Sequence, residues 1–384
     1  MIRLACVWFF ISALIAAPLA QAADGRVSTR ATHAAIMDVA TGELLFGKGA
    51  DVPVPPASMS KLMTVAVVLD MIKQGKLRPE SMFAVSEKAW RTGGSKMFVL
   101  VDTEIAVADL LKGIVVQSGN DACIVVAENI AGDVEAFAEL MNARARAWGL
   151  TDSRFANPTG LPHPEHRMSM RDLAKLARHI WVEYPEWRDL FSIEEFTWSD
   201  ITQGNRNPLL GNSPGARGMK TGHTEEAGFG VVGLAERQGR ARIIVVTGLE
   251  TYGARRSAAL ALMDEAFESF ETRTLFAKGQ ILGSALVFAG QEETVPLRID
   301  QDVTFTMHKD LLNGATAKLS YEGPLRAPVR EGDLVGVLSL SIPGDPVREY
   351  PVYTAAPVEG LGPWAKIKLG LVGLLTPPEA GTAR

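Results

Sequence analysis

The chain has 384 residues, 47% of them apolar, with 39 Lys and Arg against 44 Asp and Glu. That length exceeds one ordinary domain and points to about two, each with enough apolar side chains for its own core. The net charge of −5 argues against a nucleic-acid partner, and the histidines (His33, His163, His166, His179, His223 and His308) show no metal-ligand spacing, so neither a catalytic metal nor a cofactor is expected.

Met1-Ile-Arg3, the apolar run Leu4 to Leu19 and the small-residue end Ala20-Gln-Ala22 form the three regions of a secretory signal, which predicts export and cleavage after Ala22. Cleavage removes Arg3 and Cys6, leaving 38 basic against 44 acidic residues, a formal charge of −6. It also leaves Cys123 alone, so no intramolecular disulfide can form and stability must come from buried cores.

Ala34 to Met37 and Leu44 to Phe46, broken by Ala40-Thr-Gly42, predict a hairpin. Helical periodicity follows over Leu62 to Ile72, Val107 to Val116, Asp121 to Asn129, Val134 to Trp148 and Arg171 to Trp181. A second hairpin is predicted from Gly230–Ala235 and Arg242–Thr247. The near-continuous apolar second arm suits a central strand covered on both faces. Leu260, Met263, Phe267 and Phe270 then recur at helical spacing. Strands at both ends with helices between them give an α+β fold in which the first and last elements pair in one antiparallel sheet.

Past Thr272, alternation at Val295, Leu297 and Ile299, at Val303, Phe305 and Met307, and at Leu338, Leu340 and Ile342 predicts a small all-β domain over residues 276–356. In the tail, Trp364, Ile367, Leu371, Leu374 and Leu375 share one helical face until Pro377-Pro378. About twelve helical residues span roughly 18 Å, too short to cross a hydrocarbon core of about 30 Å. Such a helix at 361–376 either lies in a membrane interface, which the lack of any remaining core favours, or packs on the β domain.

Three short motifs carry chemistry: Ser58-Met-Ser-Lys61, Ser118-Gly-Asn120 and Lys220-Thr-Gly222. Ser58 follows Pro55-Pro56-Ala57 at a helix start, with Lys61 on the same face. A serine hydroxyl needs a neighbouring base, and a lysine serves if desolvation or a second cation, here Lys220, lowers its pKa. Alone, Ser58 reads as an N-cap beside a solvated Lys61. Ser118-Gly-Asn120 alone reads as a helix–helix turn with Asn120 capping, and Lys220-Thr-Gly222 as a surface turn. Together and in order, they supply a nucleophile, a base and an anion clamp. Ser118 is placed to relay a proton and Asn120 to hold an amide and the base. Lys220 and Thr221 are placed to bind a carboxylate, and Gly222 leaves a sheet edge open to an extended substrate.

With Pro56 to Thr64, Ser118 to Ala122, Asn157-Pro-Thr-Gly-Leu161, Asn205-Arg-Asn207 and Met219 to Thr224, the chain resembles the low-molecular-mass penicillin-binding proteins that act as serine D-alanyl-D-alanine carboxypeptidases. The resemblance covers residues 30–376. It implies a β-lactamase/transpeptidase-like domain over residues 23–272, the all-β domain, and a tail helix on the membrane surface. It implies acylation of Ser58 by the penultimate D-alanine of a peptidoglycan stem peptide, Lys61 as base, and covalent inhibition by β-lactams. The oxyanion would sit between the N–H groups of Ser58 and His223, and Arg255, with Arg206 as a weaker candidate, would help hold the terminal carboxylate. The implied location is the periplasm, peripheral on the outer face of the inner membrane. Alternatives with the same serine chemistry are a D,D-endopeptidase and a β-lactam-binding sensor that does not turn over. One departure is Thr159, where some carboxypeptidase relatives carry histidine. Another is Pro162-His-Pro-Glu-His166, which looks particular to this chain.

Overall fold

A computed structural model describes residues 26–312, 314–343 and 346–365, in two compact units divided between Ala266 and Phe267. The signal-like segment 1–22 and most of the predicted tail helix lie outside the described residues. Among the described residues no helix is long and apolar enough to cross a membrane.

The first unit begins with the predicted hairpin, β1 (His33–Asp38) and β2 (Leu44–Lys48). A 3-10 turn at Ala57–Ser60 leads into α1 (Lys61–Lys73), followed by β3 (Met82–Ala84), α2 (Glu87–Arg91), β4 (Glu104–Ala106), α3 (Val107–Val115), α4 (Asn120–Ala131), α5 (Val134–Ala147) and α6 (Met170–Glu183). Side-chain caps fix several helix starts: Ser86 accepts from Ala89 N, Asp133 from Ala136 N and Ser169 from Asp172 N, each satisfying an otherwise orphaned donor. A small hairpin, β5 (Glu195–Trp198) and β6 (Ile201–Gly204), precedes β7 (Ala216–Thr224), β8 (Gly228–Arg237), β9 (Arg240–Leu249) and α7 (Tyr252–Glu268).

The five-stranded sheet runs β2-β1-β9-β8-β7, and all its pairings are antiparallel. The first strand thus pairs with the last, Ala35 opposite Val245. Ile243 and Val245 join the core built by α1 and α3–α6, while Ile244 and Val246, equally buried, face the other side of the sheet. Both faces of β9 are covered, which is why its sequence reads as an unbroken apolar run. β7 is an edge strand whose outward backbone groups have no partner in the sheet.

Two expectations are corrected. Phe270 does not continue the last helix; it opens β10 (Phe270–Phe276) opposite His308. The buried stripe of α7 is Arg255, Ala259, Leu262, Met263 and Ala266, so Leu260 lies off its centre.

The second unit is almost entirely β. β10 pairs with β13 (Val303–His308). A six-stranded sheet collects β11 (Ile281–Phe288), β12 (Thr294–Ile299), β14 (Thr316–Tyr321), β15 (Leu325–Arg326), β16 (Leu334–Ser341) and β17 (Arg348–Thr354) in the order β14-β16-β17-β12-β11-β15. Its core holds the alternating sets Val295, Leu297, Ile299 and Val303, Phe305, Met307, with Leu338, Leu340 and Ile342. Trp364, the first apolar residue of the predicted tail helix, is 86% exposed.

Candidate active site

The three motifs converge in the first unit from four elements. Ser58 sits in the 3-10 turn, Lys61 opens α1, Ser118 and Asn120 flank the start of α4, and Lys220-Thr-Gly222 lies on the edge strand β7. Each motif includes or follows a non-glycine residue in the left-handed backbone region: Ala57 at φ 49°, Ser118 at φ 60° and Met219 at φ 105°. Such conformations cost on the order of 1–3 kcal/mol each and persist only where the surroundings over-determine them.

Lys61 is fully buried. Its Nζ lies 2.8 Å from Ser58 Oγ and 2.7 Å from Asn120 Oδ1, and it also donates to the carbonyl of Thr159. As a neutral amine, Lys61 has two N–H groups for the two oxygens that can only accept, Asn120 Oδ1 and Thr159 O. Its lone pair is then left for the Ser58 hydroxyl. Burial is the main force that lowers the Lys61 pKa to about 8, and the Arg206 guanidinium pushes the same way. Burial also drives the neighbouring Cys123 thiol up to about 12, so at neutral pH it is an uncharged apolar side chain.

Lys220 Nζ donates to Ser118 Oγ and to the Thr221 carbonyl, each at 3.0 Å. Burial, then the charges of Lys61 and Arg206, hold its pKa well below the ordinary lysine value. Gly222 approaches the Ser58 turn so closely that a Cβ there would lie 3.0 Å from both Met59 N and Pro56 O. That closeness sets the edge strand directly beside the Ser58 turn.

Asn120 is held from both ends. Its Nδ2 donates to the Gly93 carbonyl at 2.8 Å and its backbone N–H to the Ser95 carbonyl at 2.8 Å. Sequence reading assigned no role to Gly93, Ser95 or the Thr159 carbonyl, because each acts through a main-chain oxygen. The loop that presents Thr159 is itself ordered by Asn157, whose Oδ1 accepts from Thr159 N and Oγ1 and from Gly160 N.

Arg255 is buried at the start of α7, 4.7 Å from the Tyr252 ring centroid and 5.7 Å from that of Phe229. It donates to the Arg206 carbonyl, and Arg206 in turn donates to Ser95 Oγ at 2.8 Å. His223 is exposed at the end of β7 and stacks on Phe229 at 3.8 Å. Thr221 is buried. Phe229 thus lies between Arg255 and His223. A cleft of about 550 Å³ opens beyond His223, lined by Thr32, His33, Pro55, Glu225, Phe229 and Glu250 among others.

A serine beside a desolvated lysine, a second serine–lysine pair and an open strand edge form an acyl-transfer site of the penicillin-binding type. The comparisons with known proteins agree. The family model for D-alanyl-D-alanine carboxypeptidase (peptidase S11) matches residues 19–251, and that for the penicillin-binding protein 5 C-terminal domain matches residues 270–360. The D-alanyl-D-alanine carboxypeptidase DacA of Haemophilus influenzae is 35% identical over 315 residues, 80% of each chain. DacC of Escherichia coli is 33% identical over 362 residues, 91% of this chain and 90% of the relative. The crystal structure of penicillin-binding protein 5 from Haemophilus influenzae superposes with a TM-score of 0.74 at 33% identity, covering 87% of this chain and 98% of that one. The chain belongs to the peptidase S11 family of D-alanyl-D-alanine carboxypeptidases.

Proposed function

We propose that the protein is a serine-type D-alanyl-D-alanine carboxypeptidase that trims the terminal D-alanine from peptidoglycan stem peptides. The observation that carries this reading is the Lys61 nitrogen shared between Ser58 Oγ, Asn120 Oδ1 and the Thr159 carbonyl, since once that buried amine is neutral the two carbonyl oxygens take its N–H groups and leave its lone pair for the serine hydroxyl.

The stem peptide lies along the open edge of β7 as an added strand. Thr221, Lys220 and Arg255 receive its terminal carboxylate, with Arg206 at the margin. The scissile carbonyl then faces Ser58, its oxygen between the N–H groups of Ser58 and His223, and the upstream residues run toward the cleft beyond His223. Lys61 takes the Ser58 proton as Oγ attacks the penultimate D-alanine carbonyl. Ser118, hydrogen-bonded to Lys220, relays to the departing amine the proton that Lys61 took, so D-alanine leaves neutral at nitrogen, Lys61 is again a free amine and an ester remains on Ser58. Water hydrolyses that ester: Lys61 accepts the water proton as the C–O bond forms and returns it to Ser58 Oγ as the acyl group leaves, restoring both residues. β-Lactams enter by the same first step, but ring opening leaves no departing fragment.

The predicted signal and the interfacial tail helix together support an exported enzyme working at the membrane surface on its periplasmic side. The test is intact-mass analysis after incubation with a β-lactam, beside D-alanine release from diacetyl-lysyl-D-alanyl-D-alanine, each repeated with Ser58→Ala. An adduct and D-alanine release that both vanish in the variant are expected. An adduct without release moves the reading to a sensor or an endopeptidase, and no adduct at all refutes it.

A further inference from the structure

We propose that Asp121 is a positioning residue for the reaction: its buried carboxylate fastens residues 93–99 against the site, and that segment fixes the orientation of the Asn120 amide on Lys61. The inference rests on the carboxypeptidase reading.

Asp121 follows Asn120 in the first turn of α4 and is fully buried. Its Oδ1 accepts from Met97 N at 2.8 Å and Ala122 N at 2.9 Å, and its Oδ2 from Phe98 N at 2.8 Å and Val99 N at 3.2 Å. A carboxylate is the side chain suited to this place, because both oxygens only accept and the helix N-terminus favours the negative charge.

The packing around Asp121 leaves the segment no slack. Met97 is buried over Gly113, where a Cβ would lie 2.2 Å from Met97 Sδ. At Gly119 a Cβ would lie 2.9 Å from Asp121 Oδ1 and 3.0 Å from Met97 N, so the close approach of carboxylate and segment depends on that glycine. Gly94, at φ 80°, carries the chain past Asn120, where a Cβ would lie 2.7 Å from Nδ2.

An asparagine amide can be turned end for end. With Nδ2 committed to the Gly93 carbonyl, only Oδ1 can face Lys61, and the lysine nitrogen is aligned on Ser58. Reversal would set the Asn120 NH2 against the lysine's own N–H donors. The Gly93 carbonyl makes that choice, and Asp121 anchors the segment that carries it through the amides of Met97, Phe98 and Val99, four to six residues on.

The test combines kinetics with amide hydrogen exchange on the full chain. Asp121→Asn keeps the shape but turns an NH2 group toward backbone N–H donors. We expect kcat for D-alanine release to fall about tenfold or more, and the same change made on Asn120→Ala to cost less than about threefold, since coupled residues are non-additive. A merely structural role would give losses that multiply. In the unaltered protein the amides of Met97, Phe98 and Val99 should be strongly protected, and they should lose protection in Asp121→Asn while the α1 amides keep theirs. Wild-type kcat in Asp121→Asn, multiplying losses, or unprotected amides in the unaltered protein would each overturn the proposal, the last even if the variant fails to fold. Absence of D-alanine release from the unaltered protein would refute the carboxypeptidase reading instead, a result separable from the exchange data.

Discussion

Ser118 Oγ and Lys220 Nζ stand 3.0 Å apart, one on a strained loop at φ 60° and the other on the edge strand β7, and both are buried. The contact joins the helical part of the first unit to its sheet across the site. It also sets a second lysine in the field of Lys61, so protonation of either disfavours protonation of the other. Lys220→Ala should therefore do two things. It removes the carboxylate clamp, raising KM, and it leaves Ser118 without its donor, lowering kcat. A combined loss in kcat/KM of about a hundredfold or more is expected from steady-state D-alanine release. An unchanged kcat would detach Ser118 from Lys220 in the reaction.

The pH profile follows from Lys61. Its base form is the neutral amine, and its pKa is lowered to about 8, burial being the main cause. The fraction in the active form rises as pH climbs through that value, so kcat/KM should increase with pH, until loss of the Lys220 charge, whose pKa burial also lowers, turns it down on the alkaline side. Stopped-flow acylation by a β-lactam, recorded from pH 6 to pH 10, reads this limb directly. A limb that falls across the same range would make the charged lysine the active form.

Much of this organisation is legible in the sequence because burial writes periodicity. The stripes of α5 and α6 are visible for that reason, while α1, α4 and β9, buried all round over most of their length, show as apolar runs. The strand at Lys220 is harder to see: β7 carries Gly218 and Gly222 and lies at an edge, so an isolated turn fits its sequence equally well. Phe270 continues a helical spacing by coincidence while the chain has already turned into β10. The least legible parts of the site are main-chain oxygens, those of Gly93, Ser95 and Thr159, which leave no mark on residue type. Their trace lies in the side chains that order the same loops, Asp121 and Arg206 for residues 93–99 and Asn157 for Thr159.

Arg255 offers a test of substrate polarity. Its guanidinium is buried and stacked, and it sits close to the Arg206 carbonyl, a placement that suits recognition of a terminal carboxylate. Arg255→Ala should raise KM for an acyl-D-alanyl-D-alanine acid by about ten- to a hundredfold, the loss of a charge-assisted hydrogen bond, with little effect on the corresponding C-terminal amide. Equal losses on acid and amide would assign the residue to packing of Tyr252 and Phe229 instead.

Gly160 tests the Thr159 carbonyl without touching a reacting side chain. At φ 77° its backbone is strained for any L residue, and a Cβ would lie 2.1 Å from the Ala57 carbonyl oxygen and 2.7 Å from Ser60 Oγ. Gly160→Ala should push the loop off the nucleophile's turn. A stability loss of about 1–3 kcal/mol by chemical denaturation is expected. β-Lactam acylation should slow by at least about tenfold, because Lys61 loses one of the two acceptors that aim its lone pair. A variant that acylates at the normal rate would show that the carbonyl is dispensable.

The buried pair Asp38–Arg242 separates stability from chemistry. It ties β1 to β9, and Asp38 also accepts from Thr41 N and Thr41 Oγ1, closing the first hairpin. Neither residue contacts the groups assigned to the reaction. Asp38→Ala takes the carboxylate away from a buried guanidinium, so it should lower the unfolding free energy by about 3–5 kcal/mol. At a temperature where the variant remains folded, its acylation rate per folded molecule should match that of the unaltered protein, because the Ser58, Lys61 and Asn120 contacts come from other elements. Thermal unfolding and burst-titrated acylation measured together decide the point, and a slowed rate in folded molecules would mean that the β1–β9 pairing transmits strain to the site.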